Sequence, residues 1–340
     1  MIATRALLLS FLVAACGSDS SSPTTEVDAG ETSAPLTYYK DIKPIIDGKC
    51  GTCHVADGIA PFTLDSYEDA LAHSGPSMLA INAGIMPPWA PNDDCNSYHG
   101  NRSLTPEQVQ SFARWVEEGA QEGDPADEGP PLNVEMPTLS RVDKSLEMAT
   151  SYTPSLAPDD YRCFLLPWPA EFDADKFVTG FNVTPGNAKI VHHVIAFIAG
   201  PEQLDEYQQL DAAEEGPGYT CFGGSGGSAQ EGLGGWVPGT SGTDFPAGTG
   251  IKIRPGSTIV LQVHYNSTEG TSETDSTSLE LMLEDTVAKE AHQMGWLNPQ
   301  WLSGSMPIAA GDANGGIPTS AVIPIPNTRP SFAARPTARP

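Results

Sequence analysis

The spacing of apolar and polar residues changes along the chain. Residues 6–15 form an apolar run near its start, with Ser10 as its one polar residue. Further on, Val109, Phe112, Trp115 and Val116 recur at i, i+3, i+6 and i+7, which places them on one face of a helix. From about residue 151, apolar residues come in short alternating runs separated by Gly and Pro, a pattern typical of antiparallel strands. The pattern therefore predicts helices first and β-strands afterwards.

The apolar run at residues 6–15 is too short to span a bilayer and has the length of a signal-peptide core. It ends in Leu12-Val13-Ala14-Ala15-Cys16, which resembles the lipobox of bacterial lipoproteins. That resemblance implies lipidation of Cys16 and a secreted bacterial lipoprotein. We expect it on the periplasmic face of the outer membrane or at the cell surface, held to the membrane only by the lipid. The alternative is an ordinary signal peptide cut near Ala15.

Composition narrows the class of partner and the compartment. The chain has 17 Lys and Arg against 43 Asp and Glu, a formal charge of −26, which argues against nucleic-acid binding because phosphate contacts need clustered cations. The 34 Gly and 31 Pro favour a loop-rich, largely β protein. Of the six cysteines, Cys95, Cys163 and Cys221 lie outside recognisable motifs. In an oxidising compartment two of these three can pair, which leaves one over.

Cys50, Cys53 and His54 form a C-x-x-C-H sequence. Its two thiols can bond the vinyl groups of a haem while the adjacent histidine binds the iron. The alternatives are a C-x-x-C redox pair or half of a zinc site. A zinc site needs a second ligand pair nearby, and the spacing of the following Cys and His residues does not offer one. We therefore predict one covalent haem c.

Met86, in the sequence Ile85-Met86-Pro87-Pro88-Trp89, is the predicted sixth iron ligand, with Met78 as the competing candidate. A Met-Pro-Pro loop after the haem motif resembles the distal loop of class I c-type cytochromes. The segment 38–119 as a whole resembles the cytochrome c modules that are fused to secreted bacterial enzymes. The resemblance implies a small all-α cytochrome c domain, and a Met ligand suits an electron carrier.

Three histidines lie in apolar, strand-like runs: His192, His193 and His264. A bare imidazole is costly to bury unless it is bonded. However, adjacent residues on a strand point to opposite faces. Both His192 and His193 can therefore reach one metal only if the backbone twists locally or one of them uses its nearer ring nitrogen. Two hydrogen-bonded strand histidines without a metal remain the alternative.

The region 150–300 resembles the N-terminal domain of the copper type II, ascorbate-dependent monooxygenases, which include peptidylglycine α-hydroxylating and dopamine β-monooxygenase. The matching sequences are Asp160-Tyr161-Arg162-Cys163, His192-His193, Cys221 and Leu261-Gln262-Val263-His264-Tyr265. The resemblance implies that His192, His193 and His264 bind one copper ion. It also implies a disulfide between Cys163 and Cys221, which leaves Cys95 unpaired.

One feature of that family is missing. Its second domain binds the oxygen-activating copper through a His-x-His pair and a later Met, whereas His292 is the one histidine after His264 here. We therefore expect a haem- and copper-binding redox protein whose haem feeds electrons to the copper, without a complete monooxygenase site. The alternatives are a non-catalytic periplasmic electron-transfer lipoprotein and, third, copper storage or sensing. The partner is expected to be an external electron donor or acceptor protein, and the substrate is not specified.

The predicted fold class is multidomain: a small all-α cytochrome c domain followed by an all-β jelly roll or sandwich, with a disordered N-terminal tether and C-terminal tail. The expected segments are a lipoprotein signal (1–16), a flexible tether (17–36), the cytochrome c domain (37–123), a linker (124–150), the copper-monooxygenase-like β domain (151–285), the start of a truncated second β domain (286–316) and a disordered or out-of-frame tail (317–340).

Overall fold

The computed structural model describes residues 34–89, 91, 97–130, 132, 136–229, 231–267 and 272–293. The expectations for Cys16, for Cys95, for nearly all of the tether, for most of 286–316 and for the tail lie outside these residues. Within the described part of the chain, no helix is long and apolar enough to cross a membrane.

Helices occupy the first described part of the chain. A π-helical stretch, Tyr38–Ile42, leads into α1 (Lys43–Lys49), and α2 (Tyr67–Ala72), α3 (Ser74–Asn82) and α4 (Pro106–Glu117) follow. Helix α4 begins as its sequence predicts, because the Thr105 hydroxyl accepts the Gln108 N–H at 3.2 Å and the Gln108 side chain returns a bond to the Thr105 N–H at 2.9 Å. This reciprocal capping satisfies N–H groups that a helix start otherwise leaves unpaired. Phe112 and Trp115 bury the apolar face of α4 against the π-helical stretch.

Two β-sheets make up the rest of the described fold. One sheet has the order β1-β10-β3-β8-β11 with β7 beside β3, and the other has the order β5-β2-β9-β4-β6. The strands are β1 Lys144–Glu147, β2 Asp159–Pro167, β3 Lys176–Thr184, β4 Val191–Ala199, β5 Tyr219–Thr220, β6 Glu231–Trp236, β7 Thr243–Asp244, β8 Thr249–Ile253, β9 Thr258–Asn266, β10 Ser278–Glu284 and β11 Lys289–Glu290.

The two sheets share one apolar core. Inward-facing residues of both contribute to it, such as Val178 and Leu281 from the first sheet and Val194 and Leu261 from the second. Strand β9 is the centre of the second sheet, and all its residues except the last are buried. The outer face of this sheet is covered by a fifth helix, α5 (Leu204–Ala212). Because β9 lies between β2 and β4, residues near its end contact both neighbouring strands.

The expectation of a multidomain chain that opens with a small all-α cytochrome c domain is wrong. The described chain is mostly β-sheet with five short α-helices, the longest of 12 residues, and helices this short are marginal on their own. The described residues from Leu36 onward belong to one compact unit. Arg102, between α3 and α4, donates to the carbonyls of Pro238 and Gly239, and Lys189 lies 2.8 Å from the Asp57 carboxylate. The helical segment is thus bonded to the β-structure.

Candidate metal centre

A β-bulge in β4 brings the paired histidines to one face. Along the β4–β9 ladder, Val191 lies opposite Tyr265 and His193 opposite His264, with a register shift between Val191 and His193. His192 is therefore the extra residue of the bulge. A bulge places two residues of one strand opposite one residue of its partner and breaks the simple alternation of faces. The local backbone distortion that two neighbouring ligands require is present at this position.

The three imidazole rings converge through their Nδ1 atoms. The Nδ1 of His193 lies 3.2 Å from the Nδ1 of His192 and 3.2 Å from the Nδ1 of His264. One ring nitrogen from each histidine lies within 4.8 Å of the others, and within the described ranges this is the one group with spacing suited to a metal ion. His264 is buried at 5% exposure, His193 is half-buried and His192 is exposed. The group is therefore anchored in the sheet and open to solvent on one side.

Asp159 orients His264 from behind. The Nε2 of His264 lies 2.8 Å from the Oδ1 of Asp159, and an ionised carboxylate only accepts hydrogen bonds. Nε2 therefore carries the proton, and Nδ1 has a free lone pair. Asn266 also donates to Oδ1 at 2.8 Å. The hydrogen bonds from Asn266 and His264 hold the pKa of Asp159 below its ordinary value.

Asp159 was not predicted as a site residue, although its spacing from Tyr161 indicates a shared strand face. Asp159 and Tyr161 are two residues apart on β2 and so share a face of the strand. Tyr161 lies opposite His264, and Asp159 lies opposite Asn266. The family-like motif begins at Asp160. Asp159, just before it, lies on the same strand face as Tyr161.

Aromatic rings enclose one side of the histidine cluster. The Tyr161 ring stacks on His264 with centroids 4.0 Å apart and planes 6° apart. Phe222 meets Tyr161 edge to face at 4.9 Å and is 80% exposed. Next to Phe222, Cys221 forms a disulfide with Cys163, the pair that the resemblance implied. This bond fixes the loop that carries Phe222 to the strand that carries Tyr161.

Burial favours the neutral form of the His192 and His193 imidazoles. Desolvation, with the neighbouring His264 and His192, lowers the pKa of His193 to about 4. Desolvation and His264 likewise lower the pKa of His192. A metal ion binds the neutral imidazole, so near neutral pH these two side chains have no proton to lose first. Three imidazoles suit Cu, Zn, Fe or Ni, and for a given set of nitrogen ligands Cu²⁺ binds more tightly than Zn²⁺.

The C-x-x-C-H residues form a compact turn at the end of α1. The N–H groups of Cys53 and His54 both donate to the Cys50 carbonyl at 3.0 Å. Both cysteines are free thiols, and burial together with Cys53 raises the pKa of Cys50 to about 11. Redox-active C-x-x-C cysteines have a lowered pKa instead. The Nδ1 of His54 bonds the Phe62 carbonyl at 3.0 Å, so Nε2 is the nitrogen left for an iron ion.

Apolar side chains near this turn are unusually exposed. Helix α3 has no buried residue, and its Leu79 is 67% exposed. Nearby in sequence, Val55, Leu71, Ile85 and Met86 are also exposed, whereas Met78, the competing ligand candidate, packs against the helical core. The buried Trp89 Nε1 has no hydrogen-bond partner among the described residues. This part of the described chain therefore has several exposed apolar side chains and one unpaired indole N–H.

Comparison with known proteins adds no family to this geometry. No protein-family model matches the chain, and no curated protein matches it in sequence. The likeness to c-type cytochromes and to copper monooxygenases therefore rests on the motifs themselves, and the function has to be argued from the site.

Proposed function

We propose that this chain is a haem- and copper-binding redox protein whose role is one-electron transfer. The observation that carries the proposal is the bulge at His192, which brings three Nδ1 atoms together on the second sheet. A β-bulge changes the direction in which a strand side chain points. Hydrogen bonding alone explains this arrangement poorly, because the Nδ1 of His193 has either one proton or one lone pair and faces two other Nδ1 atoms at 3.2 Å.

The residues around the cluster match the needs of a bound copper ion. His192, His193 and His264 supply three nitrogen ligands, and Asp159 fixes the ring of His264. The exposed side of His192 leaves an open position. When bound, copper and haem iron each supply a redox centre that accepts and releases one electron. Copper is proposed instead of zinc because a one-electron role needs a redox-active ion, and zinc has no redox chemistry.

The turn at residues 50–54 supports covalent haem binding. The thiols of Cys50 and Cys53 would each add across a vinyl group to form a thioether, and His54 Nε2 would bind the iron. Met86 is the proposed sixth ligand. The exposed apolar residues of α3 and of the loop before Met86 would then be covered by the porphyrin.

The Cys163–Cys221 disulfide supports a location outside the cytoplasm, because structural disulfides persist in oxidising compartments. An external redox protein is the proposed partner. The strongly negative chain, with a formal charge of −26, favours a partner that presents a basic surface, since complementary charge speeds association.

Metal and haem content test this proposal. The full chain is produced in a host that attaches c-type haem, and copper and haem are quantified per protein. We expect one haem and one copper. The His192→Ala/His193→Ala variant should lose copper and keep haem, whereas Cys50→Ala/Cys53→Ala should lose covalent haem and keep copper. His292→Ala, at the exposed His292, is the control. Full copper content in the double-histidine variant would overturn the copper site.

A further inference from the structure

We infer that Asp159 is a positioning residue that strengthens the binding of oxidised copper at the three-histidine site more than the binding of reduced copper. The inference rests on the proposed function. It assigns to one exposed carboxylate a role in setting the balance of oxidation states, in addition to holding a ring in place.

Asp159 places its negative charge next to one of the three proposed copper ligands, His264. Its Oδ1 receives the Nε2–H of His264 at 2.8 Å, and the opposite nitrogen of the same ring is the one directed at His193. The carboxylate therefore bonds the ring nitrogen opposite the one that would bind the metal. A carboxylate bonded in this way fixes the tautomer and raises the basicity of the ligating nitrogen.

Asn266 keeps the carboxylate in that position. Asp159 and Asn266 are directly opposite on the β2–β9 ladder, and the Asn266 side chain donates to the same Oδ1 at 2.8 Å. With two donors on one oxygen, the Asp159 side chain is held toward His264. The Asp159 side chain is 45% exposed, so water weakens its field without abolishing it.

The neighbouring Asp160 shows what a structural aspartate looks like in this fold. Asp160 is 3% exposed, and its Oδ2 accepts from the Tyr152 hydroxyl and from the N–H groups of Ser155 and Leu156. Those bonds pin a loop to the sheet. Among the described residues, the Asp159 carboxylate bonds only the side chains of His264 and of Asn266. The strand pairing around it continues for eight more residue pairs toward Pro167. The contacts of Asp159 therefore orient the His264 ring and do not hold a loop.

The negative charge favours the more highly charged metal ion. Cu(II) carries one positive charge more than Cu(I), so a nearby carboxylate stabilises the oxidised ion more. Replacing the carboxylate with an amide of the same shape should therefore weaken the affinity for Cu(II) more than the affinity for Cu(I). Mutation of such outer partners commonly costs 10–100-fold in metal affinity. Each tenfold difference between the two losses raises the one-electron potential by about 59 mV.

The experiment compares Cu(II) and Cu(I) binding to the haem-loaded full chain, each by competition with a chelator of known affinity and the Cu(I) series without oxygen. For Asp159→Asn we expect a Cu(II) affinity about 10-fold or more below wild type, a smaller loss for Cu(I) and a higher copper potential. Asp159→Glu, which keeps the charge, should recover much of the difference. Asp205→Asn, on the exposed side of α5, removes the same charge elsewhere and should change neither affinity.

Two outcomes overturn the inference: equal losses of Cu(II) and Cu(I) affinity in Asp159→Asn, which mean that Asp159 only holds the ring, or no loss at all. Failure of the wild-type chain to bind copper would overturn the proposed function and the redox role of Asp159 together. The ring-holding step is tested separately by ¹H–¹⁵N correlation spectra of the metal-free protein. These should place the His264 proton on Nε2 in wild type, and a proton on Nδ1 would refute it.

Discussion

At the scale of single residues, the candidate site combines three side chains that the motifs identify with two that they do not. His192, His193 and His264 stand out because imidazoles are rare in apolar strands. Strand pairing brings Asp159 to the site. The disulfide-bonded loop brings Phe222 against Tyr161. A sequence motif can identify a metal-ligating histidine. The residues that orient its ring depend on how two strands pair, which a motif does not show.

Acid should destabilise the metal-free protein through His193. Its pKa is about 4 in the folded chain, chiefly because of burial, and about 6.5 when unfolded. The unfolded state therefore takes up the proton first, and stability falls as the pH drops from about 6.5 toward 4. Urea unfolding at several pH values measures this, and His193→Gln should show a shallower decline. Equal slopes in the variant and in wild type would contradict the assigned pKa.

At the scale of elements, the sequence predicts some features well and misses others. Helix α4 follows from Thr105, Pro106 and an apolar face. The bulge at His192 does not follow, because strict alternation would send His192 and His193 to opposite faces. The all-α cytochrome c domain was wrong because the C-x-x-C-H motif specifies ligand chemistry and leaves the surrounding fold open. Helices of 6 to 12 residues take their stability from packing, which a local pattern does not reveal.

The Cys163–Cys221 disulfide should contribute substantially to stability. The two cysteines are 58 residues apart in sequence, and a cross-link over a long loop restricts the unfolded chain strongly. We expect Cys163→Ala/Cys221→Ala to lose about 2–5 kcal/mol of unfolding free energy, measured by urea denaturation. Chemical reduction of the wild-type protein should produce a similar loss. A double variant as stable as wild type would show that the loop is held by its other contacts.

Helix α3 should depend on haem for burial. Leu79 is 67% exposed, so Leu79→Asn should change the stability of the haem-free Cys50→Ala/Cys53→Ala protein by no more than about 0.5 kcal/mol. In the haem-loaded protein the same change should cost about 1.5–3 kcal/mol, the value of burying a leucine. Thermal unfolding of both forms measures the difference. Leu156→Asn, at an exposed position of the β-structure, is the control, and an equal effect of Leu79→Asn with and without haem would contradict the haem assignment.

At the scale of the whole molecule, the helical segment and the sheets are joined by contacts of different strength. Arg102 is 8% exposed and donates to the carbonyls of Pro238 and Gly239. The pair between Lys189 and Asp57 is open to solvent. A buried cation bonded to backbone carbonyls is costly to remove, while an exposed ion pair contributes little.

Variants of the two contacts should therefore differ in stability. Arg102→Ala is expected to lower the unfolding free energy by about 1–3 kcal/mol because two partly buried carbonyls lose a charged donor. Lys189→Ala should lower it by less than about 1 kcal/mol, and that small effect should vanish at high salt. Urea unfolding at low and high ionic strength measures both. A larger loss for Lys189→Ala than for Arg102→Ala would reverse the assigned importance of the two contacts.

The central claim is that the bulged strand β4 and strand β9 build one redox-active copper site from three histidines. Its most direct test is a Cu(II) titration of the full chain followed by electron paramagnetic resonance. We expect a single Cu(II) signal with nitrogen coupling that saturates at one copper per chain, disappears when the copper is reduced and is absent from His264→Ala. A signal that persists unchanged in His264→Ala, or no bound copper in the wild-type chain, would contradict the claim.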